Sequence, residues 1–266
     1  GFFLPKQTYK KCSALNAFCR GVDSIADDEN QIETKEIKFT QFVNNFNLKN
    51  FDDPIIKNMW SLVDEFNISL KIIHDLFDGI RSDIKERVKL NSKKDLLIYS
   101  YRVAGTVGLM MAKILKVSKK NSLKSAIDLG IAMQLTNISR DVVEDSKNNR
   151  FYISANFETI KETLKLADLF YESSFLAIKE IPLSFRFSIL VARRVYRKIG
   201  DNIIKKRNIE NYNNSGKIYV TKMGKIIQTI LSISDLVRLI LNKSEVHHRF
   251  QDHLIINEQI NLDERF

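Results

Sequence analysis

The sequence predicts an all-α protein built on one large core. Three observations carry that prediction. Apolar residues recur at three- and four-residue spacings along most of the chain, with no sustained strand alternation. Only 3 Pro and 9 Gly fall within 266 residues, so long helices can run unbroken. A hydrophobic content of 44% is enough to fill a single core at this length.

The elements follow in order. A first helix is expected over 6–28, with Ala14, Leu15, Phe18, Val22 and Ile25 as its apolar side. Helices are expected next over 36–48 and, after the turn signal Asp52-Asp53-Pro54, over 54–66. They continue over 69–86 and, after Asn91-Ser92, over 93–116. A long helix over 120–147 should stop at Asn148-Asn149, with others over 158–180, 184–207 and 217–242. Pro182-Leu183-Ser184 and Asn213-Asn214-Ser215-Gly216 mark the starts of the last two. The amphipathic stretch Ile226 to Leu241 is expected to pack on the core. The domain is drawn over 1–243. Ser244 to Phe266 is polar and weakly periodic, which predicts a tail or a loosely docked segment. His247, His248 and His253 within it read as solvated side chains, and Lys205-Lys206-Arg207 as a helix-end charge cluster.

Two acid-bearing stretches hold the chemistry. The first is Arg20-Gly21-Val22-Asp23-Ser24-Ile25-Ala26-Asp27, and the second is Gln134-Leu135-Thr136-Asn137-Ile138-Ser139-Arg140-Asp141-Val142-Val143-Glu144-Asp145. Each places Asp at i and i+4 with Arg just ahead, so each aims two carboxylates from one helix face, about 6 Å apart along the axis. The second lies in a helix rich in Ile127, Leu129, Ile131, Leu135 and Ile138, so its charges need partners. Facing carboxylates repel unless a cation stands between them, and oxygen-only ligands favour Mg²⁺ or Mn²⁺ over zinc. Arg beside such a cluster suits a diphosphate. Between the two stretches, Gly105 and Gly108 in a helical setting imply either close helix contact or room for a ligand.

Bulk properties narrow the partners. Lys and Arg number 42 against 32 Asp and Glu, a formal charge of +10. That excess fits a solvated surface, an anionic membrane face or a phosphorylated substrate. No aromatic-basic RNA motif or zinc-finger spacing occurs, so nucleic acid is not an expected partner. Cys12 and Cys19 are two helical turns apart, roughly 10 Å, too far for a disulfide, which points to a reducing compartment. The longest near-apolar runs, such as Val103 to Ala112, are about half of a bilayer span, and no signal peptide is visible. The chain begins at Gly1 rather than Met, compatible with a missing upstream segment. A cytoplasmic location is expected, with peripheral attachment to the inner membrane face left open.

Phe18-Cys19-Arg20…Asp23…Asp27, Tyr99…Val103-Ala104-Gly105-Thr106-Val107-Gly108 and Gln134-Leu135-Thr136-Asn137-Ile138…Arg140-Asp141…Glu144-Asp145…Arg150-Phe151-Tyr152-Ile153 closely resemble the squalene/phytoene synthase family. Leu76-Phe77-Asp78-Gly79-Ile80-Arg81…Asp83 and Ala192-Arg193-Arg194-Val195-Tyr196-Arg197-Lys198-Ile199-Gly200 extend the likeness over about 1–240. The resemblance implies the isoprenoid synthase fold, with helices around a central apolar cavity, and head-to-head condensation of two prenyl diphosphates. It implies Mg²⁺ at Asp23, Asp27, Asn137, Asp141 and Asp145, and diphosphate contacts from Arg20, Arg140, Tyr196, Lys217 and Lys225. Gln134 would line the same site, and Tyr99 would act near the leaving diphosphate. Within the family the phrasing is most like the C40 branch, which uses geranylgeranyl diphosphate without NADPH. The alternatives are a C30 squalene, dehydrosqualene or presqualene diphosphate enzyme using farnesyl diphosphate, and a non-catalytic scaffold relative. Two positions depart from the family pattern: Ser24, where a further Asp is common, and Asn16, where an aromatic is common.

Overall fold

The computed structural model describes residues 6–28 and 30–266; residues 1–5, which open the expected domain, lie outside the described residues. The architecture is all-α, as the periodicity predicts. Helix α1 (Lys6–Asp27) is followed by α2 (Ile32–Asn47), α3 (Pro54–Phe66) and α4 (Leu70–Arg81). Local chemistry sets the boundaries. Asp53 accepts from the Ile55 amide at 2.7 Å with Pro54 in the first turn, and Ser69 accepts from Lys71. Phe18, Phe46, Trp60 and Phe77 interlock where these helices meet, with Phe18 and Phe46 centroids 5.5 Å apart.

The expected 93–116 helix is three pieces: α5 (Lys93–Ser100), a π-helical turn (Tyr101–Gly105) and α6 (Thr106–Ile114). Periodicity does not reveal the extra residue of a π turn, a feature frequent at functional sites. Helix α7 (Lys120–Lys147) has the bounds the sequence predicts and runs through the core. Its close approach to the Tyr101–Ile114 segment depends on glycine. A Cβ on Gly108 would lie 2.3 Å from the Ala126 carbonyl oxygen, and one on Gly130 would lie 2.2 Å from that of Ala104. Of the two sequence readings for this glycine run, close helix contact holds at Gly108.

Two short strands, absent from the sequence expectation, matter for the site. β1 (Val88–Lys89) pairs in parallel with β2 (Arg150–Phe151), in register Val88 with Arg150. This clip joins the segment after α4 to the end of α7. Helices α8 (Phe157–Phe175), α9 (Leu183–Ile204), α10 (Ile209–Asn214) and α11 (Lys222–Leu241) complete the body, with α10 unexpected.

Two late segments differ from expectation. Helix α11 does not pack its apolar side on the core. It buries Gln228, Ser232, Asp235 and Leu239 against its neighbours and leaves Ile226, Ile230, Ile233 and Val237 exposed. The cause lies on α9, where Arg194 takes Asp235 in a two-point ion pair at 2.5 and 2.9 Å and so turns the polar side inward. The stretch from Ser244 to Phe266 is not a loose tail. It forms α12 (Phe250–Asn257), buries Ile256, Ile260 and Leu262, and brings His253 and Arg265 against buried carboxylates of the body. His253, far from being solvated, is buried with Nε2 2.6 Å from Asp128 Oδ1, and Ser173 and the Arg249 amide donate to Asp128 Oδ2. Arg265 pairs with Asp75 at 2.9 and 3.0 Å, and the Tyr101 hydroxyl donates to the same carboxylate. Among the described residues no helix is long and apolar enough to cross a membrane.

Candidate active site

The two acid pairs meet in part: three of their four carboxylates line one concave region, and Asp23 lines a separate pocket. Asp27 from α1 and Asp141 and Asp145 from α7 border a polar cavity of about 590 Å³, together with Asp83, Glu144, Arg150 and Lys217. Arg150, placed by the β1–β2 clip, stands between the two helices. Its Nη1 donates to Asp27 Oδ1 at 2.7 Å and its Nη2 to the Ala26 carbonyl at 3.3 Å. Burial opposes its charge, but Tyr152, Asp27 and Asp83 outweigh that and raise its proton affinity. On α7, Arg140 grips Asp141 at two points, 2.8 and 2.5 Å. Lys217, in the loop before α11, reaches Glu144 at 2.6 Å and Asp141 at 3.6 Å.

The acids hold more negative charge than these cations relieve. Burial, then repulsion from Asp141, pushes the Asp145 carboxyl up to about 7, against the pull of Arg150. Burial also lifts Asp83 to about 6, although Tyr99 and Tyr152 donate to its two oxygens, each at 2.8 Å. Asp23 opens to solvent but is crowded by protein, and that desolvation with the Asp27 charge raises it as well. Raised carboxylates gathered in one cleft mark a place built for positive charge.

A second observation bears on a metal. Asn137 Oδ1, one turn before Asp141, is buried without a hydrogen-bond partner. Such an oxygen is costly unless something electropositive meets it. Asn137 lines neither cavity described here, but an amide oxygen and carboxylates are the donor types that Mg²⁺ or Mn²⁺ takes. Among the described residues no three His, Cys, Asp or Glu side chains form a ready-made ion-binding group. Arg150, Arg140 and Lys217 occupy several of these carboxylates instead.

A smaller pocket of about 200 Å³ is lined by Cys19, Arg20, Asp23, Leu76, Ile80, Tyr99, Val103 and Gln134. It lies below the roughly 300–1,000 Å³ usual for small-molecule sites, and is smaller than the central apolar cavity the sequence reading expected. The Tyr99 ring stacks on Tyr152 with centroids 4.7 Å apart, and burial drives both hydroxyls well above their ordinary pKa. Burial likewise pushes the Cys19 thiol up to about 12, so it is unreactive there.

The structure thus groups Arg20, Asp23, Tyr99 and Gln134 in one pocket, and Asp27, Asp141, Asp145 and Lys217 in the adjoining cavity, with Arg140 paired to Asp141. Tyr196 is half-buried on α9 and acts electrostatically on Arg140 and Tyr171. Lys225 is exposed in the first turn of α11 and lines neither space. Asn16 is also exposed and lines neither, and the Ser24 hydroxyl turns back to donate to the Gly21 carbonyl at 2.8 Å. Asp83 and Tyr152 belong to motifs read in the sequence, but nothing there assigned them a function. The available signal is an acid set between the buried Ile80 and Ile84. Tyr219, which acts electrostatically on Arg140, and Tyr212, which donates to the Ser139 and Arg140 carbonyls at 3.0 and 2.8 Å, carry no such signal.

Comparison with known proteins gives the same answer as the motifs. The model of the squalene/phytoene synthase family matches residues 2–157. A 15-cis-phytoene synthase from Paracoccus sp. is 35% identical over 57% of this chain and 55% of that protein. The 15-cis-phytoene synthase of Pantoea ananas is 28% identical over 73% of each. Among solved structures, a dehydrosqualene synthase crystallised with a ligand superposes with a TM-score of 0.72 at 28% identity, covering 89% of both chains. A squalene synthase from Alicyclobacillus acidocaldarius shares the fold at a TM-score of 0.64. The chain belongs to the squalene/phytoene synthase family, all-α prenyltransferases that condense prenyl diphosphates head to head.

Proposed function

We propose that this chain is a phytoene synthase, joining two geranylgeranyl diphosphates through a cyclopropylcarbinyl diphosphate into phytoene for carotenoid biosynthesis. The observation that carries the reading is the meeting of Asp27 from α1 with Asp141 and Asp145 from α7 in one cleft, where Arg140, Arg150 and Lys217 pair with these acids. The relatives named as phytoene synthases support the choice of branch.

Asp23, Asp27, Asn137, Asp141 and Asp145 would hold Mg²⁺ or Mn²⁺, which supplies Lewis-acid neutralisation of the diphosphate charge. Arg20, Arg140 and Lys217 bind diphosphate oxygens, with Tyr196 and Lys225 as further contacts from the late helices. Anions arriving at the cleft compete with Asp141 and Glu144 for Arg140 and Lys217, so these cations are already aimed at it. Tyr99, fixed by Asp83 and by stacking on Tyr152, keeps a hydroxyl at the wall the departing diphosphate faces. Leu76, Ile80 and Val103 shield the allylic cation from water, and Gln134 closes the polar side. NADPH has no part in phytoene formation. Prenyl chains are membrane-soluble, which gives such an enzyme reason to work at a membrane surface.

A C30 product from farnesyl diphosphate is the second reading, favoured by the match to a dehydrosqualene synthase and by the small pocket. Incubation with Mg²⁺ and farnesyl or geranylgeranyl diphosphate, with and without NADPH, followed by mass analysis of the hydrocarbon, tests both. A C40 product without NADPH upholds phytoene synthase. A C30 product overturns it in favour of the second reading, and no product from either substrate favours a scaffold.

A further inference from the structure

Helix α11 is amphipathic in the reverse sense. Its protein-facing side is polar, with Asp235 held by Arg194 and with Gln228 and Ser232 buried. Ile226, Ile230, Ile233, Val237 and Ile240 stand 51–59% exposed, and nine of the helix's 20 residues are exposed large apolar side chains. Single exposed apolar residues are ordinary, but a row of this length marks an interaction surface.

The occupant can be argued from charge and shape. The exposed ionic side chains of α11 are Lys222, Lys225 and Arg238; its only acid, Asp235, is buried and paired. The chain as a whole carries +10. The exposed apolar arc covers roughly half of the helix circumference, wider than the narrow seam of a helix pair. A basic-edged, broad and convex apolar face suits insertion at the boundary of headgroups and acyl chains. Its placement is also apt, because Lys217, in the loop leading into α11, contacts Asp141 and Glu144 of the acidic cleft.

We infer that α11 docks the protein on an anionic lipid bilayer, lying in the interface with its Ile-rich face in the lipid. This rests on the functional reading only for the use made of the surface; the docking itself is read from the side chains of α11.

The test is flotation of the full chain, without substrate, on vesicles of equimolar phosphatidylcholine and phosphatidylglycerol and on pure phosphatidylcholine. The protein should float with the anionic vesicles and less with the neutral ones. The double variant Ile230→Glu/Val237→Glu should lose more than ~10-fold in partitioning, and Ile230→Leu/Val237→Leu should keep it, both with unchanged circular dichroism and turnover of detergent-dispersed substrate. A fluorophore on Ile233→Cys should shift to the blue on anionic vesicles. No flotation by the natural chain, no such shift, or a Glu variant that floats as well, overturns the inference. So does a solution dimer that the Glu variant splits and that ignores vesicles, which would make a second copy the occupant. Intact flotation without turnover in detergent upholds the docking and overturns only the reaction.

Discussion

Arg150 occupies the space between the two acid pairs where their mutual repulsion demands positive charge. Its place there comes from β2, which begins three residues past the end of α7, and no helical periodicity could show it. The Asp pairs themselves were legible, because i, i+4 spacing on a helix already sets which way carboxylates point. Asp83 was not, because it follows α4 in irregular chain. Asp141→Ala should cut kcat by about 10²–10³-fold with circular dichroism unchanged; near-normal turnover would remove Asp141 from the site. The raised acids also set a pH dependence. An ordinary Asp loses its proton near 3.8, while folded Asp145 keeps it to about 7 and Asp83 to about 6. Between those limits the folded state binds more protons than the unfolded one, so stability falls as pH rises through the window. In chelator, Tm should therefore drop from about pH 5 to about pH 8, and Asp145→Asn should flatten the drop. An identical slope in the variant would refute the assignment.

At the scale of elements, α7 is held by what it meets. Gly130→Ala would press a Cβ onto the Ala104 carbonyl, in the π turn beside the pocket that Tyr99 and Val103 line. A loss of about 1–3 kcal/mol in urea unfolding is expected, the usual cost of overpacking; an unchanged midpoint would mean the helices part freely. The C-terminal segment has a comparable task. Removing 244–266 strips His253 from Asp128 and Arg265 from Asp75, leaving two buried carboxylates with only the Ser173 and Tyr101 hydroxyls as donors. Breaking one such buried pair costs about 3–5 kcal/mol, so the truncated chain should unfold well below the full one or fail to fold, and equal stability would contradict the docking seen here. The long helix Lys120–Lys147 was readable to the residue because its apolar run is unbroken and Asn148-Asn149 stops it. The eight-residue α12 was not, because its helical face is short and two of its three buried residues, Asp252 and His253, look like surface residues in a sequence.

For the whole molecule, closing the acidic cleft is a linkage problem. A non-hydrolysable prenyl diphosphate with Mg²⁺ should raise stability by about 2.7 kcal/mol at a hundred times its Kd, visible as a rise in Tm that neither ligand gives alone. No rise in a folded protein would return the scaffold reading. Chain length of the product belongs to this scale too, since the pocket beside Tyr99 offers about 200 Å³ and prenyl tails must find further room among the core helices. By itself the sequence determined the all-α class, most helix bounds, the family and the acid pairs, because each of these is a local repeat or a motif carried on one helix. Only the tertiary structure decided that Asp83, Arg150 and Tyr152 join the site, that α11 faces outward with its apolar side, and that the C-terminal segment docks on the body through a few buried residues. Those outcomes depend on which charges and carbonyls distant segments present to one another, and no local pattern in a chain encodes that.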